Sequence, residues 1–450
     1  MTGRAADVVR PRILCVGAYE RDNFGDLLFQ LVTAEYLKDA DVVFAAPFAA
    51  DMSALTGERI PAFGPLLASE RFDAVWTVGG EVGATTVGFA HKAALGAEEH
   101  ARYKAASPVE RRRLLAEHMG PVPVESPYLP RVSSYPLNRT AASVVNSVGV
   151  AAIAGLPPVR RASVTGILRE ATFVSVRDRM ASETLDAAGI PHSLVPDLVH
   201  TIALSRPRSA PRGDYVLLQI ADNRLKRFPL DDVIRAIVDS RVLREHPIRL
   251  FLAGTAPLHD SVETYERIIA GVRAADPSRR IEISTTRDPW DRVDEIAGAH
   301  AWVGSSLHGR IVASAYGVPR VSIAKRKLDE YAQTWDPDMP WGVSPAGLDD
   351  ALVKAVRAVE RGRADVGADL ARRAHENMLA AVQHVRDRAA TGPAPDRLAQ
   401  IIAARDLQWQ QLADAFPPDE KSDDVASRLP FARRVRRRLG RIARRVLRRG

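Results

Sequence analysis

The sequence predicts an α/β protein made of two doubly wound domains, and three observations carry the prediction. Short apolar runs alternate with helical patterns along most of the 450 residues, the signature of parallel sheets with covering helices. The alternation breaks once, at residues 204–213, where two prolines, two serines and a glycine among cations mark a linker. A chain of this length also exceeds what one ordinary core organises.

Taken in order, Arg12-Ile-Leu-Cys-Val-Gly17 reads as a buried strand, followed by a polar loop and a helix from Asp26 to Lys38. Leu27, Leu31, Ala34 and Leu37 line one face of that helix. Strands follow at 41–46 and 72–78, and residues 81–140 look like an insertion. Within it Ser107-Pro-Val-Glu110 is a capping box that opens a charged helix, and Ser126-Pro-Tyr-Leu-Pro130 ends the segment. Strands at 142–148 and 172–176, with a helix from Ser182 to Ala188, complete an N-terminal domain spanning 11–203. After the 204–213 linker, strands at 215–220, 248–253, 281–284, 301–304 and 320–323 build a second domain, 214–347. Helical patterns near 230–243, 260–274, 290–299 and 307–315 separate them. Residues 348–415 are helical and charged, and 416–427 form a polar linker expected to be disordered.

The net charge of +8 is not spread over the chain. Residues 428–450 hold eleven Arg and no acid, which leaves 8 − 11 = −3 for the rest. In that tail Phe431, Val435, Leu439, Ile442 and Val446 recur every three or four residues, one stripe of a helix with Arg on the remaining face. Such a cationic amphipathic helix suits an anionic membrane surface; attraction to nucleic acid and a merely soluble basic end are the alternatives. The acidic body and the lack of a basic patch with aromatics argue against dedicated nucleic-acid binding. The start lacks the apolar core of a signal peptide, no run of eighteen apolar residues suggests a span, and the lone Cys15 sits in an apolar strand. The expectation is a cytoplasmic protein, peripheral at the inner face of the membrane.

The most informative segment is Trp302-Val-Gly-Ser-Ser-Leu-His-Gly-Arg-Ile-Val-Ala-Ser-Ala-Tyr-Gly-Val-Pro-Arg-Val-Ser-Ile323. Strand, small-residue turn, helix and strand make a βαβ unit, which sets Ser305, Ser306 and His308 at the ligand-binding edge of a sheet. The first N–H groups of the helix, at Gly309 and its neighbours, favour an anion, and Arg310 and Lys325-Arg326-Lys327 add cations. The same residues also read as a helix cap and a solvated loop. At the mouth of the first strand, Asn23, Gly25 and Asp26 serve either as capping residues or as a hydroxyl-binding group, with Asp26 the candidate base. Gly79-Gly80 allows backbone to approach a ligand closely, while Arg177-Asp178 and Asp197 read as ion-pair or cleft-lining groups.

No P-loop and no Gly-x-Gly-x-x-Gly fingerprint is present, and no His or Cys spacing suits zinc. Asp336-Pro-Asp338 follows no apolar strand and reads as a turn, so neither a metal nor a cofactor is expected.

Ser305-Ser-Leu-His-Gly-Arg-Ile-Val-Ala-Ser-Ala-Tyr-Gly-Val-Pro319 resembles the carboxy-terminal signature of the polysaccharide pyruvyl transferase family. Asn23-Phe-Gly-Asp26, Asp73-Ala-Val-Trp-Thr-Val-Gly-Gly80, and Phe173-Val-Ser-Val-Arg-Asp-Arg-Met-Ala-Ser182 with Val195-Pro-Asp197 match further motifs of that family in order. The likeness spans about residues 12–330. It implies two Rossmann-like domains facing each other in a GT-B-like arrangement. It also implies transfer of the enolpyruvyl unit of phosphoenolpyruvate to a sugar of a cell-surface glycan or its lipid-linked precursor, forming a pyruvate ketal. His308 would then be the acid, with Asp26 also in the reaction. Ser305, Ser306, Gly309, Arg310, Lys325 and Lys327 would hold the donor. Asn23, Gly25, Gly79, Gly80, Arg177, Asp178 and Asp197 would line the acceptor side. Many members carry Arg where this chain has Ser306, so Arg310 or the Lys325 cluster is expected to replace that charge. A nucleotide-sugar glycosyltransferase, or a non-catalytic partner in glycan assembly, are the other readings.

Overall fold

The computed structural model describes residues 10–416 apart from 123, 209–210, 257–258 and 363–365. The basic tail 428–450, all but the first residue of the 416–427 linker and the middle of the 204–213 linker lie outside the described residues. Among the described residues no helix is long and apolar enough to cross a membrane.

The first sheet is built from β1 (Arg12–Val16), β2 (Asp41–Ala45), β5 (Ala74–Val78), β6 (Ala142–Val148), β7 (Phe173–Val176) and β8 (Ser193–Leu194). They stand in the order β2-β1-β5-β6-β7-β8, every pair parallel. β3 (Ala50–Asp51) and β4 (Arg59–Ile60) form a separate antiparallel pair. The second sheet holds β9 (Val216–Gln219), β10 (Ile248–Leu250), β11 (Ile281–Ile283), β12 (Ala301–Gly304) and β13 (Arg320–Ser322) in the order β11-β10-β9-β12-β13, again all parallel. Central strands such as β5 and β9 are buried along their whole length, which is why they read as continuous apolar runs rather than alternating ones.

In each sheet the chain runs one way from the first strand and later returns on its other side. That creates a switch point between β1 and β5 and another between β9 and β12. Ligands of open parallel sheets bind outside the strand ends at such points, and here the two switch points face each other. The lobes are closed. Phe24 N–H donates to the Ala253 carbonyl at 2.8 Å, Arg292 pairs with Asp22 at 2.9 Å, and Trp335 Nε1 donates to the Arg177 carbonyl at 2.7 Å. A single apolar core runs through both, from Ile13, Phe24 and Trp76 to Phe251, Trp302 and Trp335.

The helical region crosses back to the first lobe. The helix Gly367–Thr391 starts against the helix Leu307–Ala315, where a Cβ on Gly367 would meet the Ser314 carbonyl at 2.4 Å. Further on, its Asn377 donates to Asn146 Oδ1 of β6 at 2.6 Å. The helix Arg397–Ala415 then packs on Pro158–Glu170. Within the 81–140 segment, Ser107 Oγ accepts from the Glu110 N–H at 3.2 Å and caps the helix Pro108–Met119.

Candidate active site

The C-terminal half of the site is set by one turn. Ser305 follows β12 and is fully buried, with its N–H and Oγ bonded to Gln219 Oε1 at 2.9 and 3.1 Å. Gln219 in turn donates to Asp260 Oδ1 at 2.6 Å, and Lys325 Nζ donates to the Ser305 carbonyl at 3.1 Å. Ser305 is therefore saturated and acts as a hub. Ser306 is the N-cap of Leu307–Ala315, its Oγ accepting from Gly309 N–H at 3.3 Å. His308 lies in the first turn of that helix and faces the other lobe.

The N-terminal half closes on that imidazole. A Cβ built on Gly25 would fall 1.6 Å from His308 Nδ1, so only glycine fits there. The Phe29 ring meets the imidazole edge to face, centroids 4.9 Å apart. Gly79, at φ 53°, lies where a Cβ would strike that same Phe29 ring at 2.4 Å. Behind the imidazole, Asp197 Oδ2 sits 3.7 Å from His308 Nε2 and 2.9 Å from Arg177 Nη1. The Asp197 turn is itself fixed by Tyr331 from the second lobe, whose hydroxyl accepts the Asp197 N–H at 3.1 Å. Ser147, a non-glycine at φ 54°, accepts the Leu198 N–H at 3.1 Å. Nearer the mouth, Asp26 Oδ2 accepts from Asn23 Nδ2 at 2.6 Å and from Arg21 Nη2 at 3.1 Å.

These groups enclose a narrow polar cavity with about 490 Å³ of empty space including its mouth. Of the residues expected from the sequence, Asn23, Asp26, Gly80 and Arg177 line it from the first lobe. Ser305, Ser306, His308, Lys325 and Lys327 line it from the second. Burial pulls Lys325 down to about 7, helped by Lys327 and Arg224 and opposed by Asp260. Burial raises Asp260 to about 7 although Ala253 N–H and Gln219 both stabilise its carboxylate. Lys327 is also held below the ordinary lysine value, first by desolvation and then by Arg177, although its side chain reaches solvent at the rim. His308 is held down by burial, with Asp197 pulling the other way, so the free site holds a neutral imidazole near pH 7. Burial alone would raise Asp197, but His308 and Arg177 outweigh it and hold the carboxyl at about 2.

Several expectations need correction. Arg310 is not at the cavity. Two residues beyond His308 it lies about 200° further round the helix, and its guanidinium is 1% exposed inside the second lobe. There it donates to Ser322 Oγ and the carbonyls of Pro340, Asp336 and Met339, and it pairs with the Asp336 carboxylate at 2.8 Å. It cannot stand in for the family Arg at Ser306; the cavity's own cations are Arg177, Lys325 and Lys327. Gly309 packs on Trp302, where a Cβ would come within 2.0 Å, and contacts no cavity space. Asp178 does not pair with Arg177. It caps the helix Arg179–Ala187 by accepting the Ala181 N–H at 2.8 Å. Gly25, Gly79 and Asp197 shape or orient the site from behind its lining. Asp336 belongs to a buried Arg310–Asp336–Arg320 cluster.

Glu81, Gln219, Ala221, Ala253 and His259 also line the cavity and were missed. Glu81 follows directly on Gly79-Gly80, and that adjacency was the available signal. His259 and Asp260 sit in an aperiodic loop that carries none.

The family model described as polysaccharide pyruvyl transferase matches residues 130–325. No curated protein matches the chain. Among solved structures, a putative UDP-N-acetylglucosamine 2-epimerase from Listeria monocytogenes superposes with a TM-score of 0.50 at 12% identity, covering 83% of this chain and 96% of that one. UDP-GlcNAc 2-epimerase from Methanocaldococcus jannaschii gives 0.44 at 12% identity, over 77% and 91%. The Neisseria meningitidis enzyme, bound to UDP-GlcNAc, gives 0.42 at 9% identity, over 90% and 100%. At these identities the Listeria structure speaks for the fold alone, two Rossmann-like lobes in a GT-B-like arrangement. Residues 130–325 include Arg177, Asp197, the Ser305–His308 turn and Lys325, so the stretch that resembles the polysaccharide pyruvyl transferase family carries most of the second lobe's side of the cavity.

Proposed function

We propose that this protein transfers the enolpyruvyl unit of phosphoenolpyruvate to a sugar of a cell-surface glycan or its lipid-linked precursor, forming a pyruvate ketal. The observation that carries the reading is one narrow cavity in which Arg177, Lys325, Lys327 and a helix N-terminus surround an imidazole. A donor with a carboxylate and a phosphate needs several cations in a confined space, and its methylene carbon needs an acid within reach.

The residues divide the work as follows. Lys325, Lys327 and the N–H groups after Ser306 hold the phosphate, and Arg177 holds the carboxylate. The trianion draws a proton onto His308, whose imidazolium Asp197 then supports. That proton passes to the donor's methylene carbon, leaving an oxocarbenium-like centre at the adjacent carbon. An acceptor hydroxyl, oriented by Asp26 and Asn23, adds there and gives up its proton. The C–O bond to phosphate breaks with its electron pair leaving on phosphate. A second hydroxyl of the same sugar closes the ketal, and its proton returns to His308. No metal or cofactor enters this scheme.

The basic tail belongs to the same reading. With eleven Arg and one apolar stripe, residues 428–450 would keep the enzyme on the anionic inner face of the membrane, where a lipid-linked acceptor lies.

A nucleotide-sugar donor is the competing reading for two facing Rossmann-like lobes. Incubation of wild-type protein with phosphoenolpyruvate or a nucleotide sugar, each with a panel of hexosides, separates them. Release of inorganic phosphate from phosphoenolpyruvate supports the proposal. Release of a nucleoside diphosphate, with phosphoenolpyruvate inert, overturns it.

A further inference from the structure

In the proposed reaction the attacking hydroxyl must give up its proton to a base, and the cavity holds one carboxylate that nothing else employs. Glu81 stands just beyond the end of β5, at the switch point of the first sheet. A parallel bridge to Gly149 fixes its backbone, with Gly149 N–H donating to the Gly80 carbonyl at 2.7 Å and Val82 N–H to the Gly149 carbonyl at 3.2 Å. The missing side chain of Gly149 makes room for the carboxylate. A Cβ there would meet Glu81 Oε2 at 2.5 Å and Arg177 Nη2 at 3.4 Å, so carboxylate and guanidinium share that space. The other oxygen, Oε1, is sealed from solvent and has no hydrogen-bond partner among the described residues. A buried carboxylate oxygen without a donor is costly, and here it belongs to a residue lining the cavity with His308, Asp26 and Lys327.

The neighbouring carboxylates are otherwise engaged. Asp197 Oδ1 accepts the Val199 N–H at 3.0 Å while Oδ2 faces Arg177 and His308. Asp26 is tied to Asn23 and the Arg21 guanidinium, the arrangement of a group that positions a hydroxyl. Asp260 receives Ala253 N–H and Gln219.

We propose that Glu81 is the second proton-transfer group of this cavity, the base that accepts the proton of the first acceptor hydroxyl. The inference rests on the phosphoenolpyruvate reading. As the hydroxyl oxygen bonds to the donor's central carbon, its O–H electrons stay on oxygen and the proton moves to the Glu81 carboxylate. Glu81 then passes that proton to the departing phosphate, while His308 donates and recovers the other. Burial raises the Glu81 carboxyl above the ordinary glutamate value, with Arg177 opposing, which suits a group that must hold a proton briefly.

The test uses the full chain, phosphoenolpyruvate as donor and the hexoside panel as acceptors. Glu81→Gln should lower the rate of phosphate release by about 10²–10³-fold. Phosphoenolpyruvate affinity, measured by calorimetry, should be unchanged or tighter, since a like charge leaves the anion site. In Glu81→Ala, added formate should restore part of the lost rate, which a purely structural residue would not allow. Phosphate release within a few-fold of wild type in both variants overturns the assignment. So does a rate loss in Glu81→Gln accompanied by equally weakened donor binding, which would make Glu81 a support for Arg177. A wild-type chain that neither binds phosphoenolpyruvate nor releases phosphate removes the donor reading itself, and the role of Glu81 with it.

Discussion

Gly25→Ala is a one-carbon perturbation whose consequence can be worked from the coordinates. The added methyl would fall 1.6 Å from His308 Nδ1, and ordinary contact begins near 3.4 Å. The imidazole must therefore retreat by about 1.8 Å, or the helix Phe24–Tyr36 must move away from the second lobe. Neither is easy. Phe29 blocks the ring on one side and Asp197 lies behind it, while Phe24 anchors the helix to Ala253. Displacing a catalytic group by 1 Å costs on the order of 10²-fold in rate, so phosphate release should fall at least that far. Overpacking costs about 1–3 kcal/mol, partly offset by the roughly 1 kcal/mol that alanine gains over glycine in a helix. The variant should thus fold, with a modestly lowered Tm and donor affinity near wild type, because Lys325 and Lys327 are untouched. Phosphate release, calorimetric donor binding and thermal unfolding check the three parts. Wild-type turnover in Gly25→Ala would refute the placement of His308 at the reacting centre.

Other consequences follow from the same geometry. Lys325 titrates near 7, so its charge is present below that pH and lost above it. Donor affinity should decline above pH 7, by up to about tenfold per unit, and Lys325→Arg should flatten the decline in a calorimetric pH series. Arg310→Met should leave donor affinity intact but cost about 3 kcal/mol in chemical denaturation, because it removes one of the two Arg partners of the buried Asp336 and strands three carbonyls. A weakened donor with unchanged stability would return Arg310 to the site. Asp197 is held at about 2 against an ordinary 3.8; its stabilisation is complete above 3.8 and is lost as pH falls through the folded value, a loss that Asp197→Asn should not show in acid unfolding. Truncation after residue 427 should abolish flotation with anionic vesicles, while full-length protein should detach as salt is raised; equal flotation of both forms would leave the tail with another partner.

The sequence revealed what is local. Trp302 to Ile323 announces strand, turn, helix and strand within one segment, and the helix Leu307–Ala315 begins and ends where its capping serine and Gly317-Val-Pro319 say it must. The alternation of apolar runs and helices gave two parallel sheets, and hence strand ends able to converge. Arg310 was misread for a reason of periodicity: two positions after His308 on a helix is the opposite face. The Arg177–Asp178 adjacency misled in the same way, since consecutive residues at a strand end point apart and the real partner is Asp197, twenty residues on. Glu81 was marked only by its place after Gly79-Gly80, and His259 was invisible because nothing local marks it. His259 reaches the cavity from the second lobe, whose loop Asp22 of the first lobe holds through Thr255 and Arg292, a contact between distant segments. The return of the C-terminal helices to the first lobe depends on similar long-range matches, such as Asn377 against Asn146.

The central claim is that the donor is cleaved between carbon and the bridging oxygen, after His308 has protonated its methylene carbon. Phosphoenolpyruvate labelled with ¹⁸O in the bridging position tests this directly. With wild-type protein and a reactive hexoside, the label should appear in the released inorganic phosphate, and none in the organic product. Label retained in the pyruvyl product would mean cleavage at phosphorus, and would contradict an oxocarbenium route through this cavity.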